Sequence, residues 1–333
     1  MYKSRVFSRF SLAFIIVSLF LVSCNSSKET DSEEIVDPNK PSFDEVIGID
    51  FYEVKRSFEN GISWDSIGFV QVPEWHMRFE AGDSIYIYSP VLDEMLGYPM
   101  YHDHKDYFHF GRSSWRIIEL HPDSVMMQKL TLKGLTVDKV RSNVFMKFYS
   151  KEYLEKNYPG VSLEELRKPS RQDTLFVKSM VERSNRNSHN PDSVFASPQY
   201  AKIKSKHPNL TLVKRKIDNI DLTEKTPSYE YLYPEYTVTL ENAYRNFNYV
   251  FSVIIDETGF IRLGQVYELD EFLEKRTGVV QGIIDVYLQN LLEIEPAETL
   301  GMKHSSIAFF YMKGIRSKEL DGQPEKDFPE PLN

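Results

Sequence analysis

A period of two dominates the chain from residue 47 to residue 150. In "DSIYIYS" Ile85 and Ile87 fall on one face while Tyr86 and Tyr88 fall on the other, and in "NVFMKFYS" (143–150) Val144, Met146 and Phe148 share a face. Successive side chains of a strand point to opposite sides, so this alternation fits half-buried strands and little else. Turn residues punctuate the runs: Gly82-Asp83 within 76–89, and His121-Pro122-Asp123 within "SWRIIELHPDSVMMQKLTL" (114–132). Short strands with such turns imply an antiparallel β-barrel or sandwich over residues 43–152. The 20 Tyr and 22 Phe of the chain favour strands further.

Within that region stands the pattern Phe79-x-x-Gly82-Asp83-Ser84-Ile85. It is followed by Trp115-Arg116-Ile117-Ile118-Glu119-Leu120, then Asp123-Ser124-Val125. The pattern resembles the lipocalin-like domains of bacterial lipoproteins, which implies closure into a barrel. The chain departs from those domains in one respect, because Trp64 does not stand in a Gly-x-Trp setting on the first strand.

Residues 153–227 read as a connecting segment. Ser162 with Glu165 three positions on is a capping box, so a short helix is predicted from Leu163, stopped by Pro169. "TLFVKSMV" (174–181) is predicted as a strand. "ERSNRNSHNPDS" (182–193) is predicted as a solvated loop carrying Arg183 and Arg186. A short helix before a strand at 210–216 completes the segment. Few contacts are expected to cross it, which places a junction between two independently folding units at about 153–195.

After residue 248 the pattern changes. "NYVFSVIIDETGFIRLGQVYEL" (248–269) reads as a hairpin turning at 256–259. Val280, Ile283, Ile284, Tyr287, Leu288 and Leu291 then repeat at helical spacing, and "SSIAFFYM" (305–312), apolar on both faces, reads as a buried strand. The result is an α+β chain whose C-terminal part, 228–316, is a small β-β-α-β domain. Its core is expected to place Phe251, Val253 and Ile255, or their neighbours, against Ile283, Ile284 and Leu288. Tyr233-Pro234-Glu235, the 256–259 turn, the 279–293 helix, Glu295-Pro296-Ala297 and Gly301 resemble the C-terminal domain of TonB-type proteins. The resemblance implies that an open sheet edge pairs with an extended segment of a partner. The polar stretch 317–333 is predicted to be a disordered tail.

The N-terminus addresses location. Lys3, Arg5 and Arg9 precede a run of 13 residues, 10–22, apolar apart from Ser11 and Ser18. That is the form of a secretory signal, and it falls short of the roughly 20 residues that span a bilayer. The run ends Leu21-Val22-Ser23-Cys24, with the only cysteine of the chain. This ending resembles the lipobox of bacterial lipoproteins. It implies cleavage of a signal peptide at 1–23 and lipidation of Cys24 with palmitate-type acyl chains; an ordinary secretory signal with an incidental cysteine is the alternative. Two or more chains make a stable anchor where one does not. Residues 24–42, polar and acidic, are expected to form a flexible tether, and Glu29, Asp31, Glu33 and Glu34 resemble the surface-export signal of Bacteroidetes lipoproteins. The formal charge of −9 becomes −12 once the three basic residues of 1–23 are removed, which argues against nucleic acid as a partner.

Two clusters are candidates for a site. "YHDHKDYFHF" (101–110) would put His102 and His104 on one strand face, with His109 arriving from the next strand, a donor set that suits zinc. An exposed hairpin tip is the competing reading, and no bound metal is expected. "SYEYLYPEY" (228–236) would put Tyr229, Tyr231 and Tyr233 on one face of a strand, where tyrosines can stack on sugar rings or simply pack. No Gly-x-Ser-x-Gly elbow and no phosphate loop occurs. The chain therefore reads as a non-catalytic, lipid-anchored binding lipoprotein without cofactor. It is placed at the outer membrane, on the periplasmic or cell-surface face, with an envelope protein or glycan as partner. A metal-dependent hydrolase using His102, His104 and His109 is the alternative, and a structural envelope component the third class.

Overall fold

The computed structural model describes residues 40–133, 136–137, 143–216 and 227–317. The signal segment 1–23, Cys24, the tether as far as residue 39 and the tail from residue 318 lie outside the described residues.

Among the described residues eleven strands make up the N-terminal part: β1 (Asp50–Phe58), β2 (His76–Glu80), β3 (Ser84–Ser89), β4 (Glu94–Pro99), β5 (Tyr101–His104), β6 (Tyr107–Phe110), β7 (Ser113–His121), β8 (Ser124–Leu130), the short pair β9 (Leu132–Lys133) and β10 (Thr136–Val137), and β11 (Val144–Ser150). Nine of them form one antiparallel sheet in the order β4-β3-β2-β1-β11-β8-β7-β6-β5. The sheet curls into a nearly closed, barrel-like form, with β4 and β5 as its two edges. The expected turns at Gly82-Asp83 and Pro122-Asp123 join β2 to β3 and β7 to β8. Gly82 has a φ of 77° and Asp83 one of 48°, the left-handed pair that a tight hairpin of right-twisted strands requires.

The period of two becomes the barrel core. Phe51, Met77, Phe79, Ile85, Phe108, Trp115, Met127, Met146 and Phe148 all point inward and are buried. Phe43 and Val46, from the segment before β1, fill the same interior; the Phe43 ring lies 4.9 Å from Phe79 and 5.2 Å from Phe108. Gly48 N donates to Phe79 O at 2.8 Å and fixes that segment to β2. Each such side chain withdrawn from water contributes roughly 1.5–3 kcal/mol, so the interior is a packed core.

The connecting segment differs from its sequence reading. α1 (Lys151–Asn157) continues from β11, and α2 (Leu163–Leu166) begins as expected, with Ser162 Oγ accepting from Glu165 N. Residues 174–181 are not a strand, and the loop predicted from residue 182 does not begin there: both belong to α3 (Arg171–Arg186). A reciprocal capping box starts this helix. Ser170 Oγ accepts from Asp173 N, and Asp173 Oδ2 accepts from Ser170 N at 2.8 Å. Val177 and Val181, one turn apart, bury against Trp64 and Phe195. A 3₁₀ turn (Pro191–Ser193) follows. β12 (Lys202–Ser205) stands where a short helix was expected, because its backbone pairs with a later strand, and β13 (Leu210–Lys214) is the expected strand.

The C-terminal part contains α4 (Tyr229–Leu232), β14 (Glu235–Ala243), β15 (Phe247–Ile255), β16 (Ile261–Val266), α5 (Asp270–Ile283), a π turn (Ile284–Leu288), α6 (Gln289–Leu291), β17 (Leu292–Glu295), β18 (Ala297–Thr299), β19 (Met302–His304) and β20 (Ser306–Arg316). The expected hairpin, helix and buried strand are β15, β16, α5 with its extension, and β20. The sheet is larger than four elements predict: five strands in the order β13-β14-β20-β15-β16, with β14 parallel to β20. Phe251, Val253 and Ile255 share one core with Ile283, Ile284 and Leu288. Strand β12 pairs with β17 beside this sheet.

The stretch expected to be poor in contacts is packed on both sides. Trp64 from the β1–β2 connection meets α3, and Met302 of β19 joins the same cluster. Ala196 N donates to Ile67 O at 2.8 Å and Phe195 N to Ser305 O at 3.1 Å. Among the described residues no helix is long and apolar enough to cross a membrane.

Candidate functional site

A cleft of about 450 Å³ opens between the outer wall of the barrel and the segment from Tyr158 to Asp173. That volume lies within the range of small-molecule sites. Barrel strands β1 and β11 supply Val54, Lys55, Arg56, Lys147 and Tyr149; the β1–β2 connection supplies Trp64, Val70, Gln71 and Pro73; α2 and its flanks supply Tyr158, Leu166, Arg167 and Lys168.

A bulge in β1 sets the register of the cleft wall. Pairing with β11 shifts between Glu53 and Lys55, so Glu53 lies opposite Phe148 and Lys55 opposite Lys147. Glu53 keeps the inward face of Phe51, two residues before it, and is fully buried, while the shift after it turns Lys55 outward and leaves it adjacent to Lys147 on the cleft wall. Glu53 is satisfied completely. Its carboxylate accepts from Arg56 Nε at 2.7 Å, Arg56 Nη2 at 2.6 Å, Glu74 N at 2.8 Å and Trp75 N at 2.9 Å. Its carbonyl oxygen accepts from Arg167 Nε at 2.8 Å, which ties α2 to the barrel. Asp173 is likewise consumed, accepting from Ser63 N at 2.7 Å and from the capping residue Ser170.

The cations differ in their partners. Lys147 pairs with Glu119 at 2.7 Å, and hydrogen bonds from Lys147 and then Ser124 hold the Glu119 carboxyl below the usual carboxylate range. Lys168 pairs with Glu165. Lys55 has no ion pair among the described residues, and Arg167 has only its Nε bond to the Glu53 carbonyl. Burial pulls the Arg167 guanidinium below its ordinary range, the nearby Glu53 carboxylate opposing that shift. Trp64, 8 % exposed, lines the same cleft, and its buried indole N–H has no acceptor among the described residues.

The tyrosines expected on one strand face sit on a helical turn instead. Tyr229, which opens α4, and Tyr233, which caps its C-terminus one turn later, bring their rings to 4.9 Å. Tyr231 is separated from them, and its hydroxyl accepts from Val70 N at 3.2 Å, so it ties α4 to the β1–β2 connection. Tyr233, 38 % exposed, continues through Phe309 at 6.3 Å to Tyr267, whose ring lies 6.2 Å from Phe309. Phe309 and Tyr267 were not singled out in the sequence, because they enter the row from β20 and the end of β16.

The histidines are not brought together. A bulge between His102 and His104 pairs the first with Phe108 and the second with Tyr107, residues on opposite faces of β6, so the two do not share a face. His102 Nε2 donates to Lys105 O at 2.9 Å, His104 Nδ1 meets Asp103 at 2.7 Å, and His109 Nδ1 shares a hydrogen bond with Ser114 Oγ at 2.7 Å. Among the described residues no group of three His, Cys, Asp or Glu side chains is placed to hold a metal ion. Cys24 lies outside the described residues. In comparisons with known proteins, no protein-family model matches the chain and no curated protein shows a significant match.

Proposed function

We propose that the chain is a lipid-anchored lipoprotein of the cell envelope that binds a ligand on its surface and performs no chemistry on it. Leu21-Val22-Ser23-Cys24 after a basic start and a 13-residue apolar run carries the anchor. The open cleft beside a filled barrel supports surface binding: the barrel interior is occupied by Phe43, Phe79, Phe108 and Trp115, while the outer wall presents cations and aromatic rings. In this reading the N-terminal part is a lipocalin-like barrel adapted to its outer face. The C-terminal part is a TonB-like sheet-and-helix unit able to meet an envelope protein. The outer membrane is the expected site of attachment.

Cell fractionation tests the anchor. Cys24→Ser is expected to move the protein from the membrane fraction to the soluble periplasmic fraction. Equal membrane recovery of variant and parent would remove the lipoprotein reading.

A further inference from the structure

We propose that the cleft between the barrel wall and the Tyr158–Asp173 segment binds an acidic sugar, its carboxylate held by Lys55 and Arg167 and its ring set against Tyr149 and Tyr158. The inference rests on the reading of the chain as a binding protein and is independent of the anchor.

The first observation is a broken local rule. Like charges directly opposite on paired strands destabilise a sheet, yet Lys55 stands opposite Lys147 on β1 and β11. Only Lys147 is relieved, by Glu119. Arg167 enters from the facing segment and adds a third cation, half-buried and without a carboxylate in contact. Glu53, Glu164 and Glu74 act on Arg167 through space, but Lys55, opposite a like charge and without an ion pair among the described residues, leaves a cation open to an anion at the mouth of the cavity. Glu53 and Asp173 are each saturated by the bonds that hold the walls together, and among the described residues no carboxylate forms an ion pair with Lys55 or Arg167.

The second observation concerns the rest of the lining, which is too large and too varied for a bare anion. Tyr149 and Tyr158 lie nearly parallel at 25° with ring centroids 6.2 Å apart, Tyr149 packing also on Tyr153 at 4.7 Å and lying 5.7 Å from Lys147 Nζ, so the pair offers ring edges and the outer face of Tyr158, and Val54, Val70, Pro73 and Pro169 extend this apolar surface. Gln71 adds a polar side chain to the same wall. A pyranose matches this mixture, since it offers C–H faces to rings and hydroxyls to amides, and a carboxyl substituent supplies the charge. The guanidinium of Arg167, held in place through Nε, keeps its remaining N–H groups for a planar carboxylate.

The test is calorimetric titration of the detergent-solubilised full chain with digalacturonate, with the matched neutral disaccharide, and with inorganic phosphate. Digalacturonate is expected to bind with an affinity that falls as salt rises, and both controls to bind at least about tenfold more weakly, the scale of one charge-assisted hydrogen bond. Lys55→Gln is expected to cost about tenfold in that affinity while leaving the melting temperature unchanged or raised, because it removes one of two facing like charges. Arg167→Gln is expected to weaken binding at least as much, but it also frees α2 from Glu53, so Lys55→Gln is the decisive variant. No binding of digalacturonate, equal binding of the neutral sugar, equal binding of phosphate, or unaltered affinity in Lys55→Gln would each overturn the proposal. None of these outcomes bears on Cys24, whose fractionation test stands apart.

Discussion

Replacing Glu53 by alanine is expected to be among the most damaging single changes in the barrel. The residue is completely buried, and its carboxylate receives four hydrogen bonds, two from Arg56 and one each from the amides of Glu74 and Trp75. Removal strands the Arg56 guanidinium, whose side chain is only 18 % exposed. It also orphans two amides at the end of the β1–β2 connection. A broken buried ion pair costs about 3–5 kcal/mol and an orphaned amide about 1–3 kcal/mol, contributions that overlap because the connection relaxes. A total near 4 kcal/mol is therefore expected, a large share of the roughly 5–15 kcal/mol that holds a native protein together. Glu53→Gln, which keeps one acceptor, is expected to cost about half as much. The double variant Glu53→Leu/Arg56→Met is expected to recover part of the loss, since it removes the stranded charge as well. Urea denaturation followed by tryptophan fluorescence reads the effect directly, because Trp75 packs edge-on against Trp115 with centroids 5.1 Å apart. A cost below about 1 kcal/mol for Glu53→Ala would refute the reasoning, for it would mean that water reaches Arg56 and the two amides at little expense.

Two further variants probe other joints. His304 is buried between Thr299 and Phe195, and burial pushes its imidazole down to about 4. The folded state therefore keeps it neutral while the unfolded chain protonates near 6.5, so its stabilisation is complete above that pH and declines as pH falls from 6.5 through 4, by about 3 kcal/mol in all. Urea midpoints measured from pH 7 to pH 4 are expected to fall more steeply for the parent than for His304→Gln, and parallel curves would contradict this. Gly68 has a φ of 105°, and a Cβ there would lie 2.1 Å from the carbonyl oxygen of Ala196. Gly68→Ala is expected to cost about 2–3 kcal/mol, whereas Gly82→Ala, at a φ of 77° with open space around it, should cost about 1 kcal/mol in the same denaturation assay.

The barrel was legible because strand alternation is local: Val144, Met146 and Phe148 reveal their shared face within five residues. The hairpin of β15 and β16 and the helix after it were legible for the same reason. α3 was misread because Leu175, Phe176 and Val177 form an apolar run of strand-like composition. Its helical signal was Ser170 three residues before Asp173, a capping box with Asp in place of Glu. Tyr229, Tyr231 and Tyr233 alternate as a strand would, yet the chain closes a helical turn there before Pro234. The cleft had no local signature at all. Lys55, Lys147 and Arg167 lie far apart in sequence, and only the bulged register of β1 on β11 and the bond from Arg167 to Glu53 bring them together.

Strand β20 lies in the middle of the five-stranded sheet, and both of its neighbours, β14 and β15, are made before it. Until residues 306–316 have left the ribosome, those two strands present open backbone edges flanked by Val238, Phe251 and Val253. Non-local pairing of this kind is slow, and unpaired apolar edges attract other chains. Vectorial synthesis thus leaves this half of the molecule dependent on its final strand, and a nascent chain stalled before Ser306 is a natural client for a holding chaperone.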